Sequence, residues 1–242
     1  MADRHLDWDG CFNVRDLGGL RTRAGGETRW GEIVRGDAPD RLTDAGWESL
    51  LEHGVRTVVD LRNDDEVGRD GAPRPEGITT VRVALDAIDE RDFWDDWEHG
   101  PQFATPMYYG PHFERFSDRS AAVIKAIAAA EPGGVYFHCF GGRDRSGQIA
   151  ILLLALADVE PDEIVADYEL SAERLIERYA ALGEPDQGPK LTAFLTSRGT
   201  SARELILSTL DSLDAESYLR SAGVSDEDLA TVRARLVGDG GA

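Results

Sequence analysis

The chain has 242 residues, 41% apolar and 30% charged, and 46 acidic against 26 basic side chains leave a net charge of −20. That is enough chain for one domain with a sizeable core, and too apolar a composition for disorder. The acid excess excludes a basic nucleic-acid surface and a polybasic membrane anchor; it also repels anions at long range, so an anionic substrate needs a site that gathers its own positive charge.

In chain order, Leu20 to Val34 reads as a hairpin turning at Gly25-Gly26. Leu42 to His53 reads as a short helix, capped by Thr43 or Asp44 and stopped by Gly54. Val55 to Leu61 has a strand's β-branched content, and Ile78 to Leu85 alternates as a second strand, with the polar loop NDDEVGRDGAPRPEG between them. Asp86 to Pro111 is irregular and acidic, a short helix or a lid around Phe93, Trp94 and Trp97. One helix is expected from Pro111 to Ala130, stopped by Pro132-Gly133-Gly134. A short apolar strand, Val135 to His138, leads into a helix from Ser146 to Ala157 that is apolar nearly all round and therefore buried. Pro161 opens a helix to about Leu182, and helices follow over roughly Ser201–Leu213, Ala215–Ala222 and Ser225–Val237, before a frayed tail at Asp239–Ala242. Strands mixed with helices, then helices alone, predict one α/β domain over 1–242 with a helical elaboration from about 160 to 237.

The longest apolar run, Ile149 to Ala157, falls far short of the roughly 20 residues of a membrane helix. The opening MADRHLDWDG has no apolar signal-peptide core, and Cys11 and Cys139 make neither a disulfide framework nor a CxxC pair. The expected compartment is the cytoplasm, with export that needs no signal peptide still compatible.

The chemistry concentrates in His138 to Gly147, HCFGGRDRSG, between the apolar strand and the buried helix. Gly141 and Gly142 let backbone N–H groups turn inward as an anion cradle, and the helix N-terminus adds its partial positive charge. Arg145 can clamp two phosphate oxygens at once. An electropositive pocket of this kind favours a thiolate at Cys139, to which the Ser146 hydroxyl can donate. Phe140, Gly141, Gly142, Arg143, Asp144 and Arg145 are thus the candidate phosphate-binding residues.

Cysteine, five residues, arginine resembles the signature of the cysteine-dependent protein tyrosine phosphatase superfamily, HCxxGxxR followed by Ser or Thr. His138, Cys139, Gly142, Arg145 and Ser146 fill every defined position. FNVRDLGG, RGDAPDRLTDAG, GVRTVVDLRNDDE, ADYELSAERL and the closing YLRSAGVSDEDLATVRARL resemble stretches of one bacterial subgroup, the tyrosine phosphatases related to the secreted mycobacterial PtpB. The subgroup usually has Lys where this chain has Arg143, which keeps the charge and changes its geometry, and Thr where it has Ser146, which keeps the hydroxyl. The resemblance implies a central, mostly parallel sheet flanked by helices. It implies hydrolysis of phosphotyrosine, and for some members of phosphoserine, phosphothreonine or phosphoinositides, through a phosphocysteine on Cys139, with no cofactor and no metal. It also implies that Asp144 is the general acid, since the subgroup carries its acid in the loop.

Several residues admit two readings. Asp144 either caps the following helix or donates the proton. Asp60 and Arg62, at a strand end, either belong to the site or form a structural ion pair. His138 is expected to order the loop, and Arg15 and Asp16 to pack beneath it. Cys11 reads as an inert thiol, and His5, His53, His99 and His112 show no metal-ligand spacing. Two rival functions share the loop: a silent phosphoresidue-binding module, which would turn nothing over, and a sulfurtransferase, which has no use for Arg145-Ser146.

Overall fold

The computed structural model describes residues 4–67 and 74–238. The middle of the polar loop after Asn63 and the expected tail at Asp239–Ala242 lie outside them. The sheet is built from β1 (Arg15–Asp16), β2 (Ile33–Gly36), β3 (Val55–Asp60), β4 (Thr79–Arg82) and β5 (Gly134–His138), in the order β1-β2-β5-β3-β4. All pairings are parallel except β1 against β2. The helices are α1 (Asp44–Glu52), α2 (Asp64–Val67), α3 (Arg91–Trp97), α4 (Tyr109–Arg115), α5 (Ser117–Ala128), α6 (Arg145–Leu156), α7 (Pro161–Leu182), α8 (Gly188–Ser197), α9 (Ala202–Ser212), α10 (Ala215–Ser221) and α11 (Asp226–Val237).

Period-two alternation divides the strands between two cores. Ile33, Val59, Val135 and Phe137 face α5, α6 and the C-terminal helices. Val34, Val55, Val58 and Tyr136 face α1 and the N-terminal segment around Trp8. The expected central helix is α6. Ile149, Leu152 and Leu153 are fully buried on it, each contributing about 1.5–3 kcal/mol relative to exposure. The first core also takes in Ile206, Leu219, Leu229 and Leu236, so the helical elaboration shares one interior with the sheet.

Three local expectations are corrected. Of the expected hairpin only a short part forms: Thr22 N–H donates to the Gly26 carbonyl and Thr28 N–H to the Leu20 carbonyl, both at 2.9 Å, and the chain from Arg29 onward does not pair back on it. A single bridge joins Arg21 to Glu27 around Gly25, at φ 86°, while Ile33–Gly36 pairs with β1 and β5 because both of its faces are buried. The expected helix from Pro111 to Ala130 breaks at Phe116 (φ −120°, ψ 41°), whose ring stacks on Trp94 with centroids 6.2 Å apart. Of the two readings of Asp86 to Pro111, the short helix is present as α3, on which Trp94 is fully buried and donates from Nε1 to the Asp86 carbonyl at 2.7 Å. Finally, α8 is an unexpected helix; only Leu195 on it is buried, so its sequence carries little apolar periodicity.

Because β2, β3, β4 and β5 run parallel, their carboxyl ends share one edge of the sheet, where open α/β folds place ligands. Asp37, Asp60 to Asn63, Asp86 and Cys139 all emerge there.

Candidate active site

The loop from Cys139 to Asp144 leaves β5 and opens α6, as its sequence predicts. Its carbonyls are drawn outward by donors beneath it. Ala38 N–H donates to the Phe140 carbonyl at 3.1 Å and Asn13 Nδ2 to that of Gly141 at 2.9 Å. Arg35 Nη2 donates to the carbonyls of Gly142 at 3.0 Å and Arg143 at 3.2 Å. In a planar peptide the N–H points opposite the C=O, so the loop amides are left for the inside of the bowl. Gly142 adopts φ 72°, and a Cβ there would meet the Gly36 carbonyl carbon at 2.5 Å; only glycine lets the loop lie this close to β2.

The donors are themselves fixed by a buried charge cluster. Asp167 on α7 pairs with Arg4 at 2.8 Å, Arg15 at 3.2 Å and Arg35 at 2.7 Å. Burial opposes its charge, but the three guanidiniums win and hold the carboxyl well below the usual range. Arg15 also bonds Asn13 and Ser171, beneath the loop as expected, whereas Asp16 accepts from the Gly18 and Gly31 amides and lies 2.8 Å from His53, at the other end of β2, because its carboxylate ties the turn before that strand. Asp37 accepts from the Asn13 amide at 2.9 Å, tying the N-terminal segment to the end of β2.

Inside the bowl Cys139 is 3% exposed, with its Sγ 3.8 Å from the buried Ser146 hydroxyl. It opens on a cavity of about 300 Å³ whose wall includes Phe140, Arg143, Asp144, Arg145 and Arg178. Asp144 makes no capping bond to α6. Its carboxylate accepts from the Tyr109 hydroxyl at 3.0 Å and from Arg143 Nε at 3.1 Å, which turns it to the cavity wall. Arg145 meets Glu66 through Nη1 and Nη2, the latter at 2.7 Å, and its Nε lies 3.3 Å from Asp86. Burial opposes the charge of Glu66, but its bonds to Arg145 keep the carboxyl below its usual range.

Asp60 and Arg62 resolve toward a closed ion pair. Both Asp60 oxygens accept from Arg62, at 2.9 Å and 2.8 Å, and Arg62 Nη1 reaches Asp40 at 2.6 Å. The pair is buried and lies outside the Cys139 cavity. His138 is also buried, with Nδ1 3.1 Å from the Cys139 carbonyl and its ring stacked on Tyr136. Burial pushes its pKa down to about 4, so it is neutral. Cys11 is buried with its thiol pushed well up by desolvation, as expected of an inert sulfur. His99 does gather with Asp95 and Glu98, but at the surface, where Arg91 already bonds both acids.

Glu66, Asp86, Arg35 and Asp167 were not singled out in the sequence. Arg35, Glu66 and Asp167 fall inside stretches that carry the family resemblance. Asp86 directly follows the expected strand Ile78 to Leu85, the position at which a parallel sheet presents its ligands.

The sequence profile of the tyrosine phosphatase family matches residues 6–238. The triple specificity protein phosphatase PtpB of Mycobacterium tuberculosis is 29% identical over 98% of this chain and 100% of that protein. A tyrosine-protein phosphatase of Nostoc commune is 32% identical, over 81% of this chain and 71% of its own. Among solved structures, P. aeruginosa TpbA superposes with a TM-score of 0.36 at 17% identity, covering 74% of this chain and 86% of that one, a likeness too low to carry an argument. The profile match along nearly the whole sequence shows that the chain belongs to the tyrosine phosphatase family.

Proposed function

We propose that residues 1–242 act as a single phosphatase domain that hydrolyses phosphomonoesters through a phosphocysteine. Cys139 Sγ attacks phosphorus in line, forming the S–P bond as the ester P–O bond breaks. The loop amides and Arg145 hold the three equatorial oxygens as charge builds on them. Asp144 protonates the departing oxygen, then takes a proton from the water that hydrolyses the thiophosphate, and Ser146 supports the leaving thiolate. The observation that carries this reading is the outward draw of the loop carbonyls around Cys139, with Arg145 at the mouth. No step calls for a metal or cofactor.

Phosphotyrosine in proteins is the proposed principal substrate, with phosphoserine, phosphothreonine or phosphoinositides as further ones. The mycobacterial relative's description as a triple specificity phosphatase supports that breadth. A cytoplasmic setting belongs to the same proposal, supported by two unpaired cysteines; among the described residues no helix is long and apolar enough to cross a membrane.

The test sets wild type and Cys139→Ser against para-nitrophenyl phosphate, phosphotyrosyl and phosphoseryl peptides, and phosphoinositides. Cys139→Ser should lose at least about 10⁴-fold in turnover. Substantial residual phosphatase activity would sink the mechanism. Asp144→Asn should cost about 10²–10⁴-fold with a tyrosyl or alkyl phosphate and far less with an activated aryl ester. Asp60→Asn should show a loss independent of the leaving group; leaving-group dependence at Asp60 would reverse the assignment.

A further inference from the structure

Arg145 has all three guanidinium nitrogens engaged by carboxylates. Glu66 on α2 occupies the Nη1–Nη2 edge, and Asp86, just past β4, stands at Nε. A guanidinium grips a phosphate through two parallel N–H groups on one edge. With the Nη edge held by Glu66, the edge left for a phosphate is the one Asp86 occupies.

Asp86 is 3% exposed and lies on the wall of the Cys139 cavity. Its Oδ1 has no hydrogen-bond partner among the described residues. The groups that face it come from every neighbouring element: Arg145 of α6, Glu66 of α2, Asp144 of the loop and Asn63 beyond β3. His112 of α4 lies 3.8 Å away and is held neutral by burial, with its pKa pushed down to about 3; Tyr108, also buried, shares the cavity wall. Around Arg145 one positive charge thus meets the two carboxylates that touch it, and Asp144 stands nearby. A phosphate dianion entering this buried space would add like charge beside Asp86, a cost that protonation removes.

We propose that Asp86 is a charge gate on the phosphate site, taking up one proton from solvent when a tetrahedral dianion binds at Arg145. This rests on reading the Cys139–Arg145 loop as the phosphate site. In the empty site burial lifts the Asp86 carboxyl to about 6; Arg145 pulls it down, while Glu66 and Asp144 push it up. A bound dianion raises it further. Below about pH 6 the gate already stands neutral, and above it each binding event draws in a proton. No bond to phosphorus is involved, and Asp86 acts on the reaction as a positioning residue through Arg145.

Sulfate is the suitable probe, because it stays a dianion where phosphate esters and Asp86 titrate. Its inhibition constant against para-nitrophenyl phosphate should rise roughly tenfold per pH unit from about pH 6.5 to 8 in the wild type. Asp86→Asn keeps an acceptor for Arg145 Nε without the charge; it should flatten that dependence and bind sulfate more tightly than wild type at about pH 7.5. Asp144→Asn should retain the slope. Calorimetry on the wild type, in two buffers of different ionisation enthalpy, should show close to one proton taken up per sulfate at about pH 7.5 and almost none at about pH 5. Repeated on Cys139→Ser, which has no thiolate to take up the proton, this second measurement assigns the proton even where Asp86→Asn folds poorly, and disappearance of the uptake there would overturn the gate. A flat wild-type profile, a slope that survives Asp86→Asn or vanishes with Asp144→Asn, or no proton uptake at the higher pH would each overturn the gate while leaving the phosphatase reading intact. Failure of sulfate to compete at any pH would overturn both.

Discussion

Two guanidinium–carboxylate assemblies lie on opposite sides of the phosphate loop, and they are built with inverse stoichiometry. Beneath it, one carboxylate, Asp167, is shared by Arg4, Arg15 and Arg35. At its mouth, one guanidinium, Arg145, is shared by Glu66 and Asp86. In the first the anion is over-compensated and its pKa falls; in the second one anion, Asp86, is under-compensated and its pKa rises to about 6. Burial is similar for Asp167 and Asp86, so the charge count around each sets the direction. The lower assembly is a permanent brace that fixes loop carbonyls through Arg35. The upper one is poised, because a ligand must change its protonation or displace it.

The comparison breaks first at Asp167. Asp167→Asn leaves two buried guanidiniums and the half-buried one of Arg4 without their shared anion and should cost about 3–5 kcal/mol in urea unfolding; a loss under about 1 kcal/mol would mean that the lower cluster does not brace the loop. Glu66→Gln acts at the mouth, where stability is not the issue. Its unfolding midpoint should barely move, while kcat falls by about 10²-fold as Arg145 loses its orientation. An equal loss of stability would make the two assemblies alike. Gly142→Ala tests the seat between them and should cost about 1–3 kcal/mol, through its positive φ and the 2.5 Å approach to Gly36.

The smallest effect is in the pH dependence of stability. His112 and His138, with pKa values pushed down to about 3 and about 4 by burial, support the fold fully above their unfolded value of about 6.5, and that support is lost as pH falls below it. Asp86 has the opposite sign. Its raised pKa gives a contribution that is present below its unfolded value of about 3.9 and is lost as pH rises through about 6. Between about pH 4.5 and 5.5 it therefore offsets one histidine, and Asp86→Asn should steepen the acid loss of stability by up to about 1.4 kcal/mol per pH unit. Parallel curves for wild type and variant would show that Asp86 titrates normally.

The sequence alone determined the loop at Cys139, its strand and its helix. HCFGGRDRSG lies between a short apolar strand and an all-apolar segment, and such local signals need no partner to be read. It also singled out Cys139, Arg145 and Asp144 as candidates, and all three line one cavity. It left the two roles of Asp60 even, because an ion pair with Arg62 and a place in the site look the same in one dimension. Only the fold closes both Asp60 oxygens onto Arg62, away from Cys139. The break at Phe116 and the short β1 depend likewise on Trp94 and on β2, distant partners that outweigh local propensity. Glu66 and Asp86 are separated from Arg145 by more than half a hundred residues of chain. Their charges matter only because parallel strands bring their ends to one edge of a buried sheet, where a single guanidinium must answer two carboxylates.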